Sequence, residues 1–556
     1  MAHFRTRARA VDMLGRQQIA GIPTAISELF KNAHDAYADR VEVDYFRGDR
    51  LFTLRDDGVG MTLEEFEGRW LTLGTDSKVG GKSRLARPPK DPDKPERAIL
   101  GEKGIGRLAI ASIGPQVLVL TRARREGRLL DLVAAYIHWG IFELPGVDLD
   151  EIEIPIRTFA GGTLPSRDEL AEMVGSFAAN LDNLADRLDP DASRRLRTDF
   201  DRMRFDPGEV DGYVPDLSLA SDGHGTHFVI APANELLEAD LDEGGPERAS
   251  KLEKLLLGFT NTMTPSHSAP VIRTAFREHG APGVYDDLVD ESRFFTPDEF
   301  KNADHHIGGR FDEFGQFEGT VSVYGEANEA YRIPWSKAQG RETSCGPFSV
   351  NVAVVQGQEK ATTIPLEDHA VLTQKLNRLG GLYIYRDGIR VLPYGDTDYD
   401  WLSIEKRRTY SASYYYFSYR RIFGAVELSR QGNPALSEKA GREGFRETAL
   451  IENCGAFWRI SLYRWRGTFS VSRGPIPIDS SRRRPNLTVS PGRETSEESR
   501  SLSRRRDSQP TSKGSSQEST KGFPKRRRSP SRSKLTVICG QRWRLTTRVR
   551  LPKGSF

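Results

Sequence analysis

Along the body of the chain, apolar positions recur with two different periods. Residues 25–38 (Ala25-Ile26-Ser27-Glu28-Leu29-Phe30-Lys31-Asn32-Ala33-His34-Asp35-Ala36-Tyr37-Ala38) place Ile26, Leu29, Phe30 and Ala33 where a helix can pack them on a sheet. Pro23 suits a helix start and Thr24 is the candidate N-cap. Residues 41–46 alternate as a strand, Gly48-Asp49 supplies a turn, and residues 51–55 form a second strand. From 70 to about 100 the chain is rich in Gly, Pro and basic residues and reads as a long loop, which in a compact domain is a lid or disordered. A glycine-rich stretch over 101–106 leads into an apolar helix at 108–113. Strands follow at 117–121, 129–136 and 228–231, and charged helical stretches at 165–205 and 246–263. A second α/β region has a hairpin over 383–391, a strand over 422–428 and a closing helix from about Arg442. No internal repeat is visible. The pattern predicts an α/β chain in four parts: a first α/β domain over 1–235, a helical or irregular link over 236–345, a second α/β domain over 346–466 and a tail over 467–556.

Composition narrows the class. With 556 residues and 37% hydrophobic residues the chain can bury a core. No apolar run approaches the roughly 18 residues of a spanning helix, and the N-terminus lacks the apolar segment of a secretion signal. The expectation is a cytoplasmic protein with no membrane partner. Cys345, Cys454 and Cys539 make neither a disulfide framework nor a metal site. The net charge of +3 hides a split: residues 471–556 hold 22 Lys/Arg against 6 Asp/Glu, which leaves 59 against 72 elsewhere. The basic tail is poor in apolar residues and is expected to be disordered. It could bind nucleic acid or its own acidic body, yet the abrupt change near Gly467 fits an out-of-frame translation equally well. No function is placed on it.

Four short motifs carry chemistry. Glu28, Asn32 and Asp35, spaced i, i+4, i+7, fall on one helix face; Asn32 offers a hard oxygen to Mg²⁺, and Glu28 can take a proton from an attacking water. Asp56-Asp57-Gly58-Val59-Gly60-Met61 follows a strand. A carboxylate there can accept from an exocyclic amine, while Gly58 and Gly60 let the backbone approach a planar ring. Gly101-Glu102-Lys103-Gly104-Ile105-Gly106-Arg107 opens a helix, so its N–H groups suit phosphate, with Lys103 and Arg107 adding charge. Gly223-His224-Gly225-Thr226 enters a strand, where Thr226 could bond Asp56 or a base through water. Each motif alone fits a solvated helix face, a turn or a structural strand residue.

In this order the four resemble the GHKL ATPase family of gyrase B, the ninety-kilodalton heat-shock chaperone, histidine kinases and MutL; they span about residues 24–231. The resemblance implies a Bergerat-type α/β sandwich, a mixed sheet covered by helices, that binds ATP and Mg²⁺. It implies that Asp56 reads the adenine amine within a pocket that includes Asp35, Gly58, Gly60, Met61 and Thr226. Asn32 would hold Mg²⁺ and Glu28 would activate water. Gly101, Gly104, Ile105 and Gly106 would meet the phosphates beside Lys103 and Arg107, a lid would span about 70–103, and Thr75, Ser77 and Lys78 would cap the nucleotide.

The phosphoacceptor helix of a histidine kinase and the cleavage domain of a topoisomerase are absent from this sequence. The body is most similar to chaperone-like, MutL and MORC-like members, in which a transducer domain sends a basic residue to the γ-phosphate. Lys439 and Arg442 are the candidates here, with Lys406, Arg407 and Arg408 behind them. The implied function is a nucleotide-gated switch: ATP orders the lid, the chain forms a homodimer, and hydrolysis releases it toward an unidentified protein client. Two alternatives remain, a non-hydrolysing ATP-binding scaffold in a DNA-associated or phage-defence role and a protein kinase using the same pocket.

Overall fold

A computed structural model describes residues 6–73, 90–101, 106–214, 216–265, 269–281, 283–335, 340–410, 417–439 and 444–446. The basic tail lies outside these residues. The described chain is α/β and is built on two mixed sheets flanked by helices. The first sheet comprises β1 (Arg40–Phe46), β2 (Leu51–Asp56), β3 (Gln116–Arg125), β4 (Arg128–His138), β5 (Ile156–Phe159), β6 (Gly225–Ile230), β7 (Arg273–Ala281) and β8 (Val284–Asp287), in the order β5-β4-β3-β6-β2-β1-β7-β8. Only β1 and β7 pair in parallel. The second sheet comprises β9 (His305–Phe311), β10 (Phe317–Val323), β11 (Glu326–Ile333), β12 (Phe348–Val354), β13 (Gly381–Arg386), β14 (Ile389–Arg390) and β15 (Ile422–Leu428), in the order β11-β10-β9-β12-β15-β13-β14. There only β13 and β15 are parallel.

Most of the expected elements form, with shifted ends. The first long helix runs Ile22–Asp35 and begins at Gly21 (φ 121°), with Pro23 in its first turn, so Thr24 sits inside the helix and not at its cap. Proline's fixed φ and absent N–H cost nothing at that position. The apolar stretch after Gly106 is a 3-10 helix, Gly106–Ser112. The 383–391 hairpin turns at Asp387-Gly388, both with positive φ, as a two-residue hairpin turn requires. One expected region differs. Residues 236–345 are not merely helical or irregular: they supply β7 and β8 to the first sheet and β9 to β11 to the second. Short, glycine-containing strands such as β9, with Gly308-Gly309 at its centre, conceal the period-two signal. The closing helix expected from about Arg442 lies outside the described residues apart from 444–446, where Phe445 pairs with Glu438 in a β-bridge. Cys345 is buried and disulfide-bonded. Among the described residues no helix is long and apolar enough to cross a membrane.

The Ile22–Asp35 helix packs Ile26, Leu29, Phe30 and Ala33 into the core of the first sheet. That core continues without a break into one face of the second sheet. Phe259 meets Phe30 edge-on at 5.5 Å, Phe294 meets Tyr383 at 5.2 Å, and Phe295 stacks on Phe423 at 4.3 Å. Arg390 of β14 donates to the carbonyls of Lys254 and Leu257, both at 2.8 Å, so the second sheet grips the segment that packs on this helix.

On β1, Val41, Val43 and Tyr45 turn to the core while Glu42 and Asp44 face the other side. That side is buried as well. Asp44 accepts from Arg55 Nη2 at 2.8 Å and lies 2.8 Å from His279 Nε2, and Arg277 Nη1 reaches Glu42 at 2.8 Å. The carbonyl of Leu217 accepts from Arg55 Nη1 and brings the 217–224 segment over the network. Breaking such a network strands buried charges. Asp44→Ala should lower the unfolding free energy by about 3–5 kcal/mol in urea titration. Asp44→Ala/Arg277→Met should lose less than the sum of the two single variants; an additive loss would show the groups to be independent.

Candidate functional site

The helix Ile22–Asp35 is buried at every position except Asn32, which is half-buried. A polar residue on so enclosed a helix must therefore find a partner or face a cleft. Glu28 Oε1 lies 3.2 Å from Lys31 Nζ. The other oxygen looks toward the glycine-rich segment: a methyl group placed on Gly106 would lie 3.3 Å from Glu28 Oε2 and 3.9 Å from Asn32 Oδ1. One placed on Gly101 would lie 3.1 Å from Asp35 Oδ2 and 3.9 Å from Asn32 Oδ1. The two ends of the phosphate motif thus face the three helix residues that share the i, i+4, i+7 spacing. Gly104, Ile105 and Lys103 lie outside the described residues.

Asp35 works as a clamp. Its two oxygens accept from the successive N–H groups of Leu100 and Gly101, at 2.8 and 2.7 Å. The preceding stretch is tied down too. Lys94 Nζ donates to the Tyr37 carbonyl at 2.7 Å, and Arg97 donates to that of Ala38 at 2.7 Å while lying over the Tyr37 ring. Residues 90–101, the second half of the expected lid, are therefore fixed to the end of the helix. Thr75, Ser77 and Lys78 lie outside the described residues. Arg107 turns its guanidinium to the Thr72 carbonyl, and burial next to Arg69 lowers its pKa to about 10.

The strand-end motif docks against the same helix terminus. Tyr37 ends the helix in the left-handed region (φ 62°), and the Ala36 carbonyl accepts from Val59 N at 2.9 Å. Gly58 and Gly60 permit this approach; a Cβ on Gly60 (φ 60°) would fall 2.0 Å from the Arg122 carbonyl. Asp56 is buried, and its Oδ1 accepts from Gly58 N at 2.9 Å and Thr226 N at 3.3 Å. Thr226 thus meets Asp56 through its backbone, while its hydroxyl lies 3.0 Å from that of Thr121. The Thr121 hydroxyl also accepts from Met61 N at 2.9 Å, and His224 Nδ1 lies 2.7 Å from the Gly58 carbonyl. The sequence reading passed over Thr121, a strand threonine that no local spacing marks, and Lys31, which the i, i+3 spacing from Glu28 could have flagged.

In the second half of the chain, Lys439 is exposed and lines a cavity of about 470 Å³ with Thr24, Lys251, Lys254 and Asp396. Thr24 is one turn before Glu28 on the same helix face, so Lys439 lies beside the helix that carries the motif. Arg442 lies outside the described residues.

A helix-borne carboxylate and carboxamide thus face Gly101 and Gly106 in one α/β unit that also holds a buried aspartate at a strand end. Residues 21–153 match the family model described as histidine kinase-, DNA gyrase B-, and HSP90-like ATPase, so this segment is similar to the ATP-binding domains of that GHKL family. Among solved structures, the N-terminal domain of a DNA repair protein aligns with a TM-score of 0.40 at 10% identity, covering 83% of this chain and 98% of that one. No curated protein matches the chain.

Burial pushes the Asp56 carboxyl from 3.8 up to about 7, with Asp57 adding to the rise and the N–H groups of Gly58 and Thr226 opposing it. Between those values the folded protein keeps a proton that the unfolded chain has released. Stability therefore falls as pH rises from about 4 to 7, and the full cost applies above that range. Asp56→Asn should raise the melting temperature of the nucleotide-free protein at pH 8 and leave it nearly unchanged at pH 4, as read by scanning fluorimetry. The same offset at both pH values would remove the assignment of a strained ionised state.

Proposed function

We propose that the chain is an ATP hydrolase in which Glu28 draws the proton from the attacking water. The observation that carries this reading is the convergence of Glu28 Oε2 and Asn32 Oδ1 on Gly106. A general base and a hard oxygen ligand then lie at the mouth of a phosphate-binding turn. Asp56 accepts from the adenine amine: its carboxylate is buried and both backbone donors, Gly58 N and Thr226 N, meet Oδ1, so it has remaining capacity for a further donor. Met61 and Thr226 flank that end of the pocket, and Asp35 acts indirectly, by holding Leu100 and Gly101 in place. Lys439 is the candidate to meet the γ-phosphate from the second half of the chain.

Among the described residues no group of three or more His, Cys, Asp or Glu is placed to hold a metal ion. The site suits Mg²⁺, which keeps several waters and takes few protein ligands beside substrate phosphates, and Asn32 would be the protein's contribution. When bound, the ion supplies charge neutralisation at the phosphates. Lid closure and nucleotide-dependent homodimerisation, implied by the family resemblance, belong to the same proposal; light scattering with and without a non-hydrolysable ATP analogue reads the dimer.

Glu28→Ala should retain ATP binding and lower turnover by about 100-fold or more in a steady-state phosphate-release assay. Asn32→Ala should weaken Mg·ATP binding more than binding of ATP alone. Wild-type protein that binds ATP and releases no phosphate above the Glu28→Ala background would instead establish the non-hydrolysing scaffold.

A further inference from the structure

The base assigned above has a neighbour that the motif does not explain. Lys31 stands between Glu28 and Asn32 in sequence and is 3% exposed. Its Nζ lies 3.2 Å from Glu28 Oε1 and 3.8 Å from Glu438 Oε2. Glu28 and Glu438 are themselves 2% and 8% exposed, so three charged groups meet out of water. On a solvated helix an i, i+3 pair contributes a few tenths of a kcal/mol and opens freely. Buried, it cannot open without stranding a charge, so the contact fixes the side chains.

The fixed orientation matters because the two oxygens of Glu28 face different ways. Oε1 is taken by Lys31, whereas Oε2 is the oxygen near Gly106. Rotation of the carboxylate would exchange or remove the atom that meets the water. Lys31 is positioned in turn from the second sheet. Glu438 lies in a short pairing of 437–439 with 444–446, made by the Glu438–Phe445 bridge, by Lys439 N to Gly444 O at 2.9 Å and by Arg446 N to Ser437 O at 2.6 Å. Leu436 and Phe445 anchor this pairing in the core of the second sheet, with Phe445 tilted against Tyr394 at 5.8 Å. The pairing also carries Lys439, so the residue proposed to meet the γ-phosphate and the residue that anchors Lys31 are adjacent.

We infer that Lys31 is a positioning residue: it orients the Glu28 carboxylate and takes its own anchor from Glu438, so that docking of the second-sheet segment is transmitted to the water-activating group through one buried lysine. The inference rests on the hydrolytic reading above and adds a connection from the second sheet to the base.

The test uses the full chain with Mg·ATP and four variants: Lys31→Met, Lys31→Arg, Glu438→Gln and Lys31→Met/Glu438→Gln. Lys31→Met should lower kcat by about 10- to 100-fold, as expected for a misplaced catalytic group. KM and the affinity for a non-hydrolysable analogue should stay within about twofold, a split that general loss of structure would not produce. Lys31→Arg should recover most of the rate. Glu438→Gln should lower kcat by about three- to tenfold, and the double variant should be no slower than Lys31→Met, because both act along one path. Lys31→Met at wild-type rate, loss of nucleotide affinity in step with kcat, or multiplying effects in the double variant would each overturn the role. If wild type hydrolyses ATP and Glu28→Ala does not, such a result removes the Lys31 inference alone; a wild type without turnover removes both readings.

Discussion

The structure depends on the enclosure of one helix. Ile22–Asp35 is covered on its apolar side by the first sheet's core and on its polar side by Gly101, Gly106, the strand-end loop and Glu438. Water cannot satisfy Glu28, Lys31 or Asp35, so each must take a protein partner or turn toward a cleft. Function follows from how these demands are met. Lys31 occupies one oxygen of Glu28, Asp35 is consumed by backbone donors, and Asn32 is left half-open. Four residues on one face thereby take different tasks without any difference in their secondary structure.

Asp56 shows the same constraint with the opposite outcome. Its carboxyl is buried, and the loss of water is the main cause of the rise in its pKa, which makes the ionised form costly. The folded protein holds this strain because the surrounding loop is over-determined: Gly58 and Gly60 are pressed against Ala36 and Arg122, Thr121 ties Met61, and Gly225 packs against the Asp56 carbonyl. A pocket that is costly when its aspartate is charged and alone discriminates in favour of a ligand with a donor at that point.

Much of this was legible in the sequence because the informative groups are local. The spacing of Glu28, Asn32 and Asp35, the strand before Asp56 and the Asp387-Gly388 turn are set by neighbours within a few residues. What was not legible is set across the chain. The pairing of β7 with β1 joins residues more than 200 positions apart, and nothing near Arg273 announces it. The contact between Lys31 and Glu438 likewise depends on how the second sheet docks. Asp35, placed in the nucleotide pocket by the resemblance, also accepts from the N–H groups of Leu100 and Gly101, contacts that no spacing could reveal. Glu42 and Asp44 alternate as a solvated strand face would, yet they are buried, because pattern reports which side is polar and not what covers it.

The aromatic seam from Phe30 through Phe259 and from Phe294 and Phe295 to Tyr383 and Phe423 bears on how such a chain can diversify. Where two modules meet through a polar, watery junction, recombination can exchange one of them and leave the other intact. Here a foreign partner would have to present rings of matching shape at the same places, or leave a greasy patch on the nucleotide-binding half. The two halves are thus bound to a common line of descent, and new specificity has to arise in the loops, where substitution leaves the seam untouched.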